Sequence, residues 1–182
     1  MNPAGAFVFI IGYAFDIYIM IVLARFILQM VRADFYNPVS QFIVKVTTPV
    51  LKPLRRIIPG FGGIDIASIV LMFTLVLIKI LILLLIDYGS LSGLSLLTLS
   101  IITVKSAANI VLNFYMFCIF IGIILSWISQ GSYNAFSALL HQITEPILAP
   151  ARKILPPMGG LDLSPMIILI LISFIKVLFR LG

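Results

Sequence analysis

This chain of 182 residues contains two copies of one sequence unit, which constrains its fold more than any other feature. Residues 48–59 (TPVLKPLRRIIP) match residues 145–156 (EPILAPARKILP), an offset of 97 positions, the distance from Pro49 to Pro146. Because one unit was duplicated, each copy has to solve the same folding problem.

The offset persists beyond this segment, since GGID at 62–65 matches GGLD at 159–162. We therefore predict a first repeat at residues 1–90 and a second at 98–182. In each repeat an aspartate follows the glycine pair and precedes an apolar run. Asp65 and Asp162 are the expected helix caps.

The composition indicates that the solvent of this chain is a lipid bilayer. Apolar residues make up 62% of it and charged residues 10%, and the mean hydropathy is +1.25. A soluble domain carries about 25% charged residues, so this chain would expose apolar surface to water. The single cysteine, Cys118, excludes an intrachain disulfide.

Four apolar stretches are long enough to cross a hydrocarbon core of about 30 Å. They are residues 6–31, 66–86, 104–128 and 163–181. We expect the first to be a retained helix and not a cleaved signal peptide, because no basic residue precedes it and no small-residue cleavage site follows it.

Between the paired spans lie two matching amphipathic segments, residues 37–59 and 134–156. Each contains two prolines four residues apart, which predict two short helical pieces joined by a kink. Such a basic, amphipathic segment is typical of the membrane interface. The alternative is a shallow re-entrant hairpin shielded by protein.

The basic residues of these segments have two interpretations: they bind anionic lipid headgroups or partner proteins, or they only signal topology. They are Lys45, Lys52, Arg55, Arg56, Arg152 and Lys153. Their bias puts both segments in the cytoplasm and both termini outside. The predicted fold is an all-α membrane protein with four transmembrane helices as two parallel repeats, each with a kinked cytoplasmic amphipathic segment between its spans.

Polar residues within the spans form one predicted buried layer in the outer half of the membrane. Its members are Asp16, Lys79, Asn109, Asn113 and Lys176. The acid can neutralise either lysine but not both, because the second repeat has an asparagine where a second acid would be needed. The layer is either an ion pathway or a structural feature that sets helix register, with the lysines reaching the interface. Arg25, whose counterpart is Gly122, is expected to reach Asp65 or the ends of the short helices.

Signals of an enzyme are missing from the sequence. It has no phosphate-binding GxxxxGK[ST] loop, no paired histidines at metal-ligand spacing and no cysteine pair. The pair Ser137 and His141 has Val44 at the equivalent of its histidine and is interpreted as incidental. We expect no catalytic residue, no metal, no cofactor and no nucleic-acid partner.

The duplicated pattern resembles the YggT family. The resemblance rests on Asn-Pro, then TPxLxPLRRxxP, then GGxDx followed by Ser or Ala. It covers nearly the whole chain in two copies, of which the second has Ala135 for Pro38 and Pro157 for Gly60. Leu23-Ala24-Arg25-Phe26 in the first copy and Ser126-Trp127 in the second also fit, whereas Gly122 departs from the pattern.

The resemblance implies a multi-pass protein of the inner membrane of a Gram-negative bacterium, in which the Lys/Arg bias makes the termini periplasmic. The family is linked to osmotic tolerance and potassium uptake, and its plastid relatives to cytochrome assembly. We expect a non-enzymatic adaptor or assembly factor that binds anionic lipid, an unidentified membrane protein or a second copy of itself. The alternative is a potassium uptake or channel-like protein that uses the polar layer.

Overall fold

The computed structural model describes residues 3–91, 94–128, 134–155 and 162–181, and the regular elements in these ranges are helices. The single β-bridge within them joins Phe61 and Ile64 in the turn that precedes α3. The helices are α1 (Pro3–Met30), α2 (Pro38–Ile57), α3 (Ile66–Tyr88), α4 (Leu96–Ile128), α5 (Ala135–Ile154) and α6 (Ser164–Phe179).

Three of these helices are long and apolar enough to cross a membrane, namely those at Gly5–Met30, Ile66–Asp87 and Leu96–Ile128. The fourth apolar helix, α6, has 16 residues, which corresponds to about 24 Å. Over the described ranges the protein is therefore all-helical, with three long apolar helices and a shorter fourth one.

The helix α4 begins at Leu96, eight residues before the predicted span of residues 104–128. The reason is a cap that hydropathy does not detect: the Ser95 hydroxyl accepts a hydrogen bond from the Thr98 N–H at 3.1 Å. A serine at this position satisfies one of the free N–H groups of the first turn.

Each amphipathic segment forms one continuous helix, so the expected division into two short pieces is wrong. Pro49 and Pro53 lie inside α2, and Pro146 and Pro150 lie inside α5. All four prolines are exposed. Each proline removes one N–H from the helix. The missing hydrogen bonds lie on the outward side of the helix, away from the core.

The buried side chains form one large cluster that includes residues of both repeats, among them Val22 of α1, Val76 of α3 and Phe114 of α4. A smaller cluster holds α6 in place. Its members are Ile119, Leu148, Ala151, Ile168 and Ile172. The first pair of long helices is therefore packed into the core, whereas α6 leaves most of its apolar surface outside it.

Candidate functional site

In the first repeat an arginine–aspartate contact joins the end of α2 to the start of α3. Arg55 donates hydrogen bonds from Nη2 to Asp65 Oδ2 and from Nε to Asp65 Oδ1, the latter at 3.3 Å. Asp65 is the N-cap of α3 and accepts from the Ser68 N–H, and only 4% of its side chain is exposed. The positive φ angles of Gly62 and Gly63, 60° and 83°, turn the chain toward this cap.

The environment of Asp65 favours its ionised form. Burial by itself would raise the pKa of this carboxyl, but the hydrogen bonds from Arg55 and Ser68 outweigh burial and hold the pKa below its ordinary value of 3.8. The carboxylate of Asp65 therefore stays charged at neutral pH, and its contact with Arg55 ties α2 to α3.

Arg25 makes a second connection, from α1 to the middle of α2. Its Nη1 lies 2.9 Å from the Val44 carbonyl oxygen, 2.7 Å from Thr47 Oγ1 and 3.0 Å from Thr48 Oγ1. The expectation that Arg25 reaches Asp65 or a helix end is wrong, since the helix continues past this point. The two threonines were missed; their position directly before Pro49 was the available signal.

The second repeat keeps the contact but distributes its charges differently. Arg152 donates to Asp162 Oδ2 at 2.8 Å and to Glu145 Oε2 at 2.6 Å. The hydrogen bond with Asp162 is the main reason that the pKa of Arg152 is raised. The carboxyl of Asp162 is 31% exposed and accepts from the Ser164 N–H, one residue before the N-cap position of α6. The Gly159-Gly160 pair lies outside the described residues.

The polar layer consists of two lysine contacts at equivalent positions of the repeats. Lys79 Nζ lies 2.6 Å from Asp16 Oδ1, and Lys176 Nζ lies 2.6 Å from Asn113 Oδ1. The question of which lysine Asp16 contacts is thereby answered. Asn109 Oδ1 is buried and has no hydrogen-bond partner within the described ranges.

Four of the six basic candidates are exposed and form no ion pair in the part of the chain that the structure describes. They are Lys45, Lys52, Arg56 and Lys153. The other two, Arg55 and Arg152, are occupied by the contacts above. The basic set thus divides into two structural arginines and four free cations.

Alongside the free cations of α2 runs an exposed apolar stripe. Phe42, Val50 and Ile57 are 58%, 42% and 79% exposed, and at 100° per residue they fall within an arc of about 80°. Lys45, Lys52 and Arg56 fall on the adjoining arc, away from the face that packs on the core. We refer to these three apolar and three basic side chains of α2 as the α2 outer face.

Other chemistry lacks support in the described residues. They contain no group of three or more His, Cys, Asp or Glu side chains that could hold a metal ion. The Ser137 hydroxyl is buried without a hydrogen-bond partner in these ranges, so no bond to His141 is formed. The described part of the chain also has cavities with volumes of about 410, 280, 450 and 640 Å³, and no member of the polar layer lines any of these four.

Comparison with known proteins identifies relatives of the whole chain. An uncharacterized protein of Pseudomonas aeruginosa is 52% identical over 178 residues, which cover 98% of this chain and 89% of that protein. The uncharacterized protein YggT of Escherichia coli K12 is 36% identical, over 92% of this chain and 86% of that protein.

A more distant relative covers about half of the chain. It is the chloroplastic protein CCB3 of Arabidopsis thaliana, named for the cofactor assembly of complex C, and it is 34% identical over 48% of this chain and 52% of that protein. No solved structure matches. The model of the family described as CCB3/YggT matches twice, at residues 4–86 and 101–181, two ranges whose starting points differ by the repeat offset. The chain therefore belongs to the CCB3/YggT family.

Proposed function

We propose that this protein is a non-enzymatic adaptor or assembly factor of the bacterial inner membrane. In this proposal the two repeats are domains of like orientation, α2 and α5 lie on the cytoplasmic surface, and both termini are periplasmic. The basic residues of α2 and α5 support this orientation, because cytoplasmic segments carry an excess of Lys and Arg.

The proposal includes α6 as a fourth span. Its 16 residues fall short of a core of about 30 Å, but flanking charged side chains and local thinning of the bilayer accommodate such a mismatch. Two observations support this assignment: α6 is the counterpart of α3 in the repeat, and its Lys176 makes the contact that corresponds to that of Lys79.

The observation that carries the proposal is the α2 outer face. Its apolar stripe is suited to dip into the headgroup boundary, while its cations lie where anionic headgroups approach, each contributing about 1 kcal/mol. The contacts of Arg25 and Arg55 hold this helix against α1 and α3 from the opposite side. A fixed, lipid-bound helix of this kind suits a protein that positions another one at the membrane.

The assembly role is supported by the name of the Arabidopsis relative, which places that protein in cofactor assembly. We extend only the general idea of assembly to this chain, namely that it assists a membrane protein partner. In this proposal osmotic tolerance and potassium balance depend on the protein indirectly, through that partner. No reaction is required, and no catalytic residue is proposed.

A second candidate, ion conduction, is favoured by the presence of charged side chains at one level of the spans. It is opposed by their identity, because two lysines repel a cation and the only acid among them is bound to Lys79. The polar layer also lines none of the cavities described above. We therefore rank this candidate second.

The test compares membrane complexes in three strains: one lacking the protein, one with the wild type, and one in which Lys45, Lys52 and Arg56 are replaced by glutamine. Complexes are separated on native gels and their components quantified by mass spectrometry. The adaptor proposal predicts that at least one complex loses a component without the protein and is not fully restored by the triple variant.

The same wild-type protein, reconstituted in vesicles, is assayed for potassium and proton flux. The proposal predicts no flux above empty vesicles. Flux that the double variant Asp16→Asn, Lys79→Met removes, together with unchanged complexes in cells, would contradict the adaptor role and favour conduction.

A further inference from the structure

We propose that the exposed side of α6 beside Lys176 docks a transmembrane helix of a different membrane protein, one that carries a carboxylate at the level of Lys176. This inference rests on the proposed adaptor function and names the chemistry of its partner. It follows from an unbalanced charge and an open groove, which occur together in the second repeat.

The unbalanced charge is that of Lys176. In the first repeat Lys79 has a carboxylate partner in Asp16, whereas Lys176 has only the amide oxygen of Asn113. Throughout the described ranges no carboxylate forms an ion pair with Lys176. An amide accepts a hydrogen bond but does not neutralise a cation, and charges inside a membrane are expected to be paired.

A polar atom near the contact of Lys176, Asn109 Oδ1, is buried and without a hydrogen-bond partner in the described part of the chain. Asn109 precedes Asn113 by four residues, so both amides lie on one face of α4. Its acceptor is one helical turn from the contact of Lys176. Because this atom is buried within the chain, a helix docked on α6 reaches Lys176 and not Asn109.

The groove lies on α6 itself, has a volume of about 450 Å³, and is lined by Leu169, Ile170, Ser173, Phe174 and Val177. Ser173 is a small residue among larger ones, and small residues at helix interfaces allow close approach of a second helix. Lys176 follows Ser173 by three residues, so the two lie on neighbouring positions of the helix surface. A helix seated in the groove therefore brings its side chains within reach of the lysine.

A second copy of this chain does not balance the charge. Each copy contributes one acid, Asp16, and two lysines, Lys79 and Lys176, to the layer, so every added copy brings its own surplus cation. A different protein that supplies one carboxylate makes the layer neutral. Charge complementarity thus selects a heterologous partner.

The experiment uses a polyleucine transmembrane peptide with one glutamate at the level of Lys176 and a matched peptide with glutamine. The full chain, labelled at Lys105→Cys in a Cys118→Ser background, is reconstituted in neutral phosphatidylcholine vesicles at pH 8, which excludes anionic lipid as the occupant. Energy transfer between protein and peptide reports association. We expect the glutamate peptide to bind about three- to tenfold more tightly than the glutamine peptide.

Two variants test the site from opposite directions. Lys176→Met removes the cation, and Asn113→Asp supplies an internal carboxylate, so both should abolish the preference for glutamate. Asn113→Asp adds a partner and does not strand a charge, so a folding defect does not explain its effect. The matched control is the double variant Asp16→Asn, Lys79→Met, which should retain the preference.

Equal binding of the two peptides to the wild type, or a preference that survives Lys176→Met, would overturn the inference. Energy transfer between differently labelled protein copies that Lys176→Met removes would assign the face to a second copy and would also overturn it. If these vesicle assays fail while the cellular complexes still depend on the protein, the adaptor function stands and this face is excluded.

Discussion

The two repeats share an arrangement of helices but differ in how they use charge. In the first, Arg55 pairs with Asp65 while Arg25 is bound by uncharged groups of α2, which gives a local formal charge of +1. In the second, Arg152 faces two acids, Glu145 and Asp162, a local formal charge of −1.

The difference shows which part of the unit is structural. The contact between the end of the amphipathic helix and the start of the next helix occurs in both copies, so it serves the fold. The arginine contact with the preceding helix occurs only in the first, because Gly122 stands at the position of Arg25. The first amphipathic helix is thus held by two arginines, whereas α5 is held by one arginine and by apolar packing against α4 and α6.

Removing the buried acid should give the largest effect. Asp65→Ala loses a helix cap and leaves Arg55 unpaired, so we expect the free energy of unfolding in detergent to fall by about 3 kcal/mol. The equivalent Asp162→Ala should cost about 1 kcal/mol, because that acid is 31% exposed. Equal losses would contradict the proposed difference between the copies.

The same aspartate predicts a pH dependence. Because the pKa of Asp65 in the folded protein lies below its ordinary value of 3.8, its stabilising contribution is present above that value and is lost as the pH falls through the folded pKa. The wild type should therefore lose stability below about pH 4 more steeply than Asp65→Ala. Parallel unfolding curves against pH would contradict this assignment.

Loss of the connection that only the first copy has should rank next. Arg25→Met leaves the hydroxyls of Thr47 and Thr48 without their donor, and we expect a loss of about 2 kcal/mol in unfolding free energy. Arg25→Lys should recover only part of it, because an ammonium does not present the planar fork of a guanidinium. A lysine variant as stable as the wild type would show that charge alone matters.

In the polar layer, Lys79→Met should lower the free energy of unfolding by about 1.5 kcal/mol. The double variant Asp16→Asn, Lys79→Met should lower it by less than either single change. The single variants strand a charge and the double variant does not. Unfolding of all three in detergent measures the coupling. Additive losses would show that the 2.6 Å contact does not contribute to stability.

The smallest expected effect is that of Glu145→Thr, which gives the second copy the residue of the first at position 48. Arg152 keeps its bond with Asp162, so the loss should be about 0.5 kcal/mol. A loss above about 2 kcal/mol, measured in the same unfolding assay, would show that Glu145 is as important as the buried acid of the first copy.

Much of the architecture could be predicted from the sequence, since the duplication and the apolar runs indicated α1 and α3 to within a few residues. The helix α4 extends eight residues beyond the predicted span, because a serine cap and not hydropathy sets its start. The continuity of α2 was missed because a proline disrupts only its own turn when the lost bond faces outward.

The contacts of the site were harder to predict. Depth along the spans placed Lys79 and Lys176 at one level but did not distinguish which one meets Asp16, since this depends on which helices are neighbours. Likewise, the role of Thr47 required the rotation of α2 about its axis relative to α1. Helix rotation and neighbour relations arise from packing, which single-sequence patterns report poorly.

The central claim is that the first amphipathic helix binds anionic lipid at the membrane surface. Its most direct test is native mass spectrometry of the protein released from bilayers with equal amounts of phosphatidylglycerol and phosphatidylcholine. We expect the wild type to retain phosphatidylglycerol preferentially. The preference should fall about fivefold for each of Lys45, Lys52 and Arg56 replaced by glutamine, whereas Lys105→Gln has no effect. An unchanged preference in the triple variant would contradict the central claim.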